Sequence, residues 1–139
     1  MGRILAIDYG TKRVGLAVTD PLKIIATALD TVPAQEILPY LQQYIDREGV
    51  ELLVVGLPKK LSSEDTNNTA PVKAFVKQLE KAFPKIPVVL VDERFTSKIA
   101  LDTMIAGGTK KKDRRDKARL DKISATIILQ SYMESISNL

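Results

Sequence analysis

The chain has 139 residues, of which 45% are hydrophobic and 27% are charged, the composition of an ordinary globular domain that can bury a substantial core. It contains no cysteine and no histidine, which excludes disulfides, zinc sites of the usual kind and catalysis by a histidine base. The net charge of +4 is uneven, because residues 110–122 carry eight Lys or Arg against three Asp, a local +5 that leaves −1 for the remainder.

The hydrophobic pattern predicts strands and helices in alternation along the chain. Two apolar runs separated by a turn with Gly10 predict a hairpin. Later apolar runs of strand length alternate with segments of helical periodicity. The predicted strands are residues 3–8, 14–20, 24–32, 50–56 and 88–93, and the predicted helices are residues 34–48, 71–83, 97–106 and 119–137.

This order of elements predicts a single α/β domain over residues 1–139. Three hairpin-connected strands followed by strand–helix–strand units give a mixed sheet with helices on both faces. No apolar run is long enough to span a membrane, and the first run is interrupted too early for a signal peptide, so we expect a cytoplasmic protein.

Acidic residues follow or interrupt apolar segments at three positions of the chain. Asp8 ends the first strand, the pair Asp92 and Glu93 ends the last strand, and Asp121 lies at the start of the last helix. Because parallel strands bring their carboxyl ends to one edge of the sheet, we expect these acids to approach one another. Converging carboxylates repel unless a cation neutralises them, and their oxygens suit Mg²⁺ or Mn²⁺, with two ions as in phosphoryl-transfer sites.

Each acid also has a purely structural interpretation. Asp8 could cap a turn, Asp92 or Glu93 could pair with Arg94, and Asp121 could interact with the helix dipole. Strand alternation sends Asp92 and Glu93 to opposite faces, so only one of them can bind a metal together with Asp8.

Basic residues flank these acids and predict contact with a polyanion. Lys12, Arg13 and Arg94 lie next to the acids in the sequence. Residues 107–117, which begin with two glycines, predict a basic flap that closes on nucleic acid, although a solvated loop without a specific role fits them too.

Four motifs in this chain resemble the YqgF/RuvX family of bacterial RNase H-like proteins, known as Holliday junction resolvases and as pre-16S rRNA nucleases. The resemblance covers nearly the whole chain, in order. The motifs are IDYGTKRVGLAVTD at 7–20, VVGLP at 54–58, DERFTS at 92–97 and LDKISATIILQSYM at 120–133.

The resemblance implies an RNase H-like fold, a five-stranded sheet in the order 3-2-1-4-5 with strand 2 antiparallel. It implies that Asp8, Glu93 and Asp121 are catalytic and bind divalent metal, with residues 56–58 lining the cleft. Between the two adjacent acids of the DER motif it favours Glu93. The residues expected to contact nucleic acid are Gly10, Thr11, Lys12, Arg13, Arg94, Lys110, Lys111, Arg114, Arg115 and Lys122.

The expected activity is metal-dependent hydrolysis of phosphodiester bonds, at the 5′ end of precursor 16S rRNA during ribosome biogenesis. The alternative substrate is a four-way DNA junction, whose resolution needs two active sites and hence a dimer, whereas RNA trimming suits a monomer or a weak homodimer. Two other interpretations stay open, a non-catalytic nucleic-acid binder and a nucleotide-binding module like the actin and Hsp70-like ATPases. The second would need another lobe to enclose its nucleotide, which 139 residues cannot supply.

Overall fold

The computed structural model describes residues 2–57, 69–92 and 117–137 of the chain. Within these ranges it contains five strands, one 3-10 turn and three α-helices. The strands are β1 (Arg3–Tyr9), β2 (Arg13–Thr19), β3 (Ala26–Pro33), β4 (Val50–Leu57) and β5 (Val88–Asp92). The 3-10 turn is Ala34–Glu36, and the helices are α1 (Ile37–Glu48), α2 (Thr69–Ala82) and α3 (Lys117–Ser137).

The five strands form one mixed sheet in the order β3-β2-β1-β4-β5. Strand β2 is antiparallel to both β1 and β3, while β1, β4 and β5 are mutually parallel. The tight connection at residues 10–12 forces β1 and β2 into a hairpin, and helical crossovers give the parallel pairs. The predicted strand order and the antiparallel second strand are therefore confirmed.

The two faces of the sheet pack against different helices, because successive residues of a strand point to opposite sides. Leu5 and Ile7 of β1 belong to the larger core cluster, which contains buried residues of α1 and α2. Ile4 and Ala6 belong to a second cluster, formed with Ala125 and other residues of α3. The central strands are buried on both faces, which explains their almost continuous apolar runs.

The connection between β2 and β3 differs from the prediction, which extended β2 through Asp20. In the structure β2 ends at Thr19, and the Asp20 carboxylate accepts hydrogen bonds from the backbone N–H groups of Leu22, Ile24 and Ile25 at 3.2, 2.7 and 2.8 Å. These bonds, above all that from Ile25, lower the pKa of the Asp20 carboxyl below its usual range. An aspartate that binds the next backbone amides forms a turn instead of continuing the strand.

The helix boundaries also differ slightly from those predicted. Residues 34–36 form a 3-10 turn before α1, and α2 begins at Thr69, two residues before Pro71. Proline is tolerated there because the first turn of a helix has no intrahelical partner for its N–H groups. Gly49 ends α1 as predicted, with a φ of 80° and its N–H bonded to the Ile45 carbonyl at 2.9 Å.

Several predicted elements lie outside the described residues, namely the helix at 97–106, residues 107–116 of the basic segment and Pro58 of the cleft motif. Within the described ranges, none of the helices combines the length and the apolar character needed to cross a membrane.

Candidate active site at the C-terminal edge of the sheet

Asp8 lies one residue before the end of β1, at the edge where the parallel strands β1, β4 and β5 all end. It pairs with Gly15 of β2. The register on the other side pairs Ile7 with Val55, so the next residue of β4, Gly56, lies alongside Asp8. Asp8 therefore has a glycine on each neighbouring strand, and neither neighbour places a side chain beside its half-buried carboxylate.

The face of the sheet that carries Asp8 is the face covered by α3. Strand alternation gives Asp8 the same side as Ile4 and Ala6, which are buried against Ala125 and Ile128. Asp8 thus continues, at the rim of the sheet, the row of small and apolar residues on which α3 packs.

The direction of α3 brings its first turns to the same edge. Met133 and Ile136, near the end of α3, line a surface groove together with Ile4, near the beginning of β1, so helix and strand run in opposite directions. From position 133 back to 121 the helix rises about 18 Å, and from Ile4 to Asp8 the strand rises about 13 Å. The backbone at position 121 therefore lies toward the edge where Asp8 is found.

The turn after Asp8 is tightly built. The Gly10 N–H donates to the Arg13 carbonyl at 3.0 Å, and a Cβ at position 10 would lie 2.6 Å from that oxygen. Glycine is thus required by the turn itself, a structural reason for the residue beside its predicted contact with nucleic acid. Thr11 and Lys12 are exposed, and the Lys12 carbonyl accepts the Ala34 N–H at 3.0 Å, which ties the turn to the start of the helical layer.

Tyr9 points to the opposite face from Asp8 and stacks on Phe75 of α2, with ring centroids 4.3 Å apart and planes 16° apart. Phe75 is buried, so the contact holds the second turn of α2 against the end of β1. This pair was not predicted from the sequence. Its only signals were the position of Tyr9 after a strand and that of Phe75 on a predicted apolar helix face, and neither identifies the partner.

Three helices begin at this edge of the sheet. Helix α1 follows β3, which runs parallel to β1, α2 follows β4, and the first turns of α3 lie here as well. The N-terminus of a helix carries partial positive charge and unpaired N–H groups, both of which favour anions. With the cations Lys12 and Arg13, this edge combines a carboxylate with surroundings that suit phosphate.

The other predicted site residues are described only in part. Asp121 and Lys122 belong to α3 by their backbone, and their side chains lie outside the described part. Among the described residues, no group of three or more acidic side chains could hold a metal ion. The predicted site residues that lie entirely outside the residues described by the structure are Glu93, Arg94, Lys110, Lys111, Arg114 and Arg115.

Comparison with known proteins gives a match over almost the whole chain. The family described as RuvX, Holliday junction resolvase, matches residues 2–135. A protein of Phocaeicola vulgatus named "Putative pre-16S rRNA nuclease" is 55% identical over 135 residues, which are 97% of each chain. A protein of the same name from Porphyromonas gingivalis is 53% identical, covering 97% of this chain and 98% of its own.

Among solved structures, RuvC of Thermus thermophilus in complex with a Holliday junction substrate is similar in fold. It has a TM-score of 0.54 at 17% sequence identity, covering 96% of both chains. A second structure of the same protein gives the same TM-score at 15% identity, covering 95% of this chain and 96% of its own. RuvC is RNase H-like, so the predicted fold class is confirmed.

Proposed function

Since this chain belongs to the RuvX family, we propose that it is a nuclease that hydrolyses phosphodiester bonds at the sheet edge around Asp8. One observation carries the proposal, namely that Asp8 lies at the end of a central strand between Gly15 and Gly56. A structural carboxylate needs no such clearance, whereas a carboxylate that must reach a bulky phosphodiester does. The family match to residues 2–135 supports one nuclease domain.

We propose Asp8, Glu93 and Asp121 as the ligands of Mg²⁺ or Mn²⁺. Two features of the described residues support this set. Val91 of β5 packs on the α3 side, as Asp8 does by alternation, and Glu93 follows Val91 by two positions in the sequence. The direction of α3 brings position 121 toward the same edge. These donors suit the group, because carboxylate oxygens are the hard ligands that both ions prefer.

When bound, a pair of divalent ions supplies an activated water and neutralises charge on the leaving oxygen. The chain itself must then hold the ions and orient the substrate. It contains no histidine that could act as a base, so its acids are assigned to metal binding. The cations Lys12 and Arg13 on the turn would contact phosphate oxygens, Arg13 by forked hydrogen bonds.

The remaining contacts with nucleic acid are proposed from sequence. Arg94 follows the metal ligand Glu93, Lys122 follows Asp121, and residues 107–117 would close over the substrate as a basic flap. The helix N-termini that meet at this edge favour the same polyanion.

We propose precursor 16S rRNA as the substrate, because relatives that are 52–55% identical over nearly the full chain carry the name "Putative pre-16S rRNA nuclease". Cleavage at the 5′ end is proposed from the family resemblance. Removal of an RNA end needs one active site, which a monomer provides. The second candidate substrate is a Holliday junction, favoured by the description of the matching family. Cutting two strands of a junction would require two copies of the chain.

A side-by-side cleavage assay tests both candidates. Wild-type protein and Asp8→Asn are incubated with Mn²⁺ and either labelled precursor 16S rRNA or a labelled four-way DNA junction. We expect cleavage of the RNA by the wild type and none by the variant. The matched control is Asp46→Asn, which removes an exposed carboxylate of α1 far from the edge and should cleave normally. Full activity of Asp8→Asn would exclude the proposed site.

A further inference from the structure

The outer surface of α2 carries a row of lysines that the proposed chemistry does not use. Lys73, Lys77 and Lys81 follow one another at intervals of four residues, and all three are exposed. Glu80 is the only acid of the helix, so α2 carries a net charge of +2. Lys85, also exposed, extends the row just beyond the helix end.

This arrangement is unfavourable for the helix alone. Residues four apart on a helix are neighbours, and like charges at that spacing repel. Helix α1, which covers the same face of the sheet, has instead Arg47 between Asp46 and Glu48 and a net charge of −1. The excess of positive charge is thus specific to α2 and is not a general property of this helical layer.

The row begins near the sheet edge that carries Asp8, on the opposite face of the sheet, and leads away from that edge. Phe75 stacks on Tyr9, the residue after Asp8, so the turn that contains Lys73 lies near the catalytic edge. Lys77 and Lys81 each lie about 6 Å further along the helix. After Phe83 the chain turns back into β5 at the opposite edge.

We propose that the lysine row of α2, formed by Lys73, Lys77 and Lys81, binds the phosphodiester backbone of the nucleic acid that flanks the cleavage point. The inference rests on the proposed nuclease function, because it is the continuity with the catalytic edge that selects a nucleic acid over other polyanions. From Lys73 to Lys81 the row is about 12 Å long, which corresponds to about four base pairs of a duplex at 3.4 Å each.

Backbone contact, as opposed to base contact, is what these residues can provide. Lysine is a point charge that neutralises phosphate without reading sequence. The aromatic ring next to Asp8, that of Tyr9, is already stacked on Phe75. We therefore expect binding along α2 to be independent of sequence and to weaken with salt.

The test measures binding without cleavage, by fluorescence anisotropy in EDTA, on a 20-base-pair duplex of RNA and on its DNA counterpart. The variant is Lys77→Gln with Lys81→Gln, since Lys73 also interacts with another group of the chain. For DNA the loss of two phosphate contacts should reduce the slope of log K against log salt by about 1.8. When the salt is raised from 50 to 200 mM, the factor by which affinity falls should then be about 12 times larger for the wild type than for the variant.

Two controls separate this effect from a general change of charge. Arg47→Gln removes one exposed cation from α1 and should keep the wild-type slope. The double variant Lys77→Arg with Lys81→Arg retains both positive charges and should have the same slope of log K against log salt as the wild type. The proposal that the lysine row binds nucleic acid is wrong if the double glutamine variant keeps the wild-type slope while its circular dichroism spectrum is unchanged.

The failure of this inference and the failure of the nuclease proposal give different results. If the wild type cleaves precursor rRNA and the glutamine variant keeps the wild-type salt slope, the proposed binding by the lysine row is wrong and the proposed nuclease function is supported. If no substrate is cleaved but the slopes differ as expected, the binding surface stands and the nuclease function fails.

Discussion

Thr19 is the one fully buried polar side chain among the described residues, and its replacement by valine gives the sharpest test of how the hairpin is held. Its Oγ1 accepts the backbone N–H of Ile4 at 3.0 Å, and its carbonyl accepts a hydrogen bond from Arg3 Nη1 at 3.0 Å. Valine has nearly the same shape but no acceptor. Because Ile4 is only 4% exposed, its N–H would lose its partner without gaining water.

The expected cost follows from this contact. Leaving one buried backbone donor unsatisfied destabilises a protein by about 1–3 kcal/mol. With an unfolding entropy of about 2.1 cal/mol/K per residue, the 139 residues of this chain give about 0.29 kcal/mol/K. Thr19→Val should therefore lower Tm by about 3–10 °C.

Calorimetry and urea unfolding of wild type and Thr19→Val measure this difference. Thr27→Val is the matched control, because it makes the same substitution at an exposed position of β3 and should change stability by less than about 0.5 kcal/mol. If Thr19→Val were as stable as Thr27→Val, the hydrogen bond to Ile4 would contribute nothing, and another interaction would have to fix the register that pairs Asp8 with Gly15.

Three further predictions concern charge. The lowered pKa of Asp20, due mainly to the Ile25 N–H, means that its ionised form stabilises the fold above its unfolded pKa, and that this contribution is lost as pH falls through the lower folded value. Asp20→Asn should therefore be less stable than wild type at pH 7. Urea unfolding should show that the difference in the free energy of unfolding between the two proteins decreases as the pH falls below about 4. Mn²⁺ at a hundred times its Kd should raise the wild-type Tm by about 9 °C, from about 2.7 kcal/mol of binding linkage, whereas Asp8→Asn should lose most of this rise. In EDTA the same variant should melt at or above the wild-type temperature, because it removes one charge from the proposed group of acids, and marked destabilisation there would show that Asp8 has a structural role.

Much of the fold could be predicted, because its elements have strong local patterns. The turn at Gly10, the stop at Gly49 and the doubly buried strand β4 are each encoded within a few residues. The strand order came from the family resemblance and not from local pattern. The end of β2 was misjudged because Asp20 follows an apolar run directly, and only its bonds to three later amides reveal a turn.

The position of Asp8 at the sheet edge could be predicted from the sequence, but its surroundings could not, and the roles of Glu93 and Asp121 stay predictions. Asp8 is conspicuous because a carboxylate ends an apolar strand. Its two glycine neighbours become visible only through the strand register, which brings residues 15 and 56 beside it. The stacking of Tyr9 on Phe75 joins residues 66 positions apart, a distance over which the sequence carries no pairing signal.

The packing of α3 has a consequence for the biosynthesis of this protein. The face of the sheet that carries Asp8 is closed by Ala125, Ile128 and Leu129, which are made after every strand. While the chain is being translated, that apolar face has no cover until these residues leave the ribosome, and Asp121 is made only four residues before Ala125. The nascent chain therefore lacks both its second core and its third proposed ligand. Because α3 follows all the described strands in the sequence, the proposed site cannot be complete before this helix has been made.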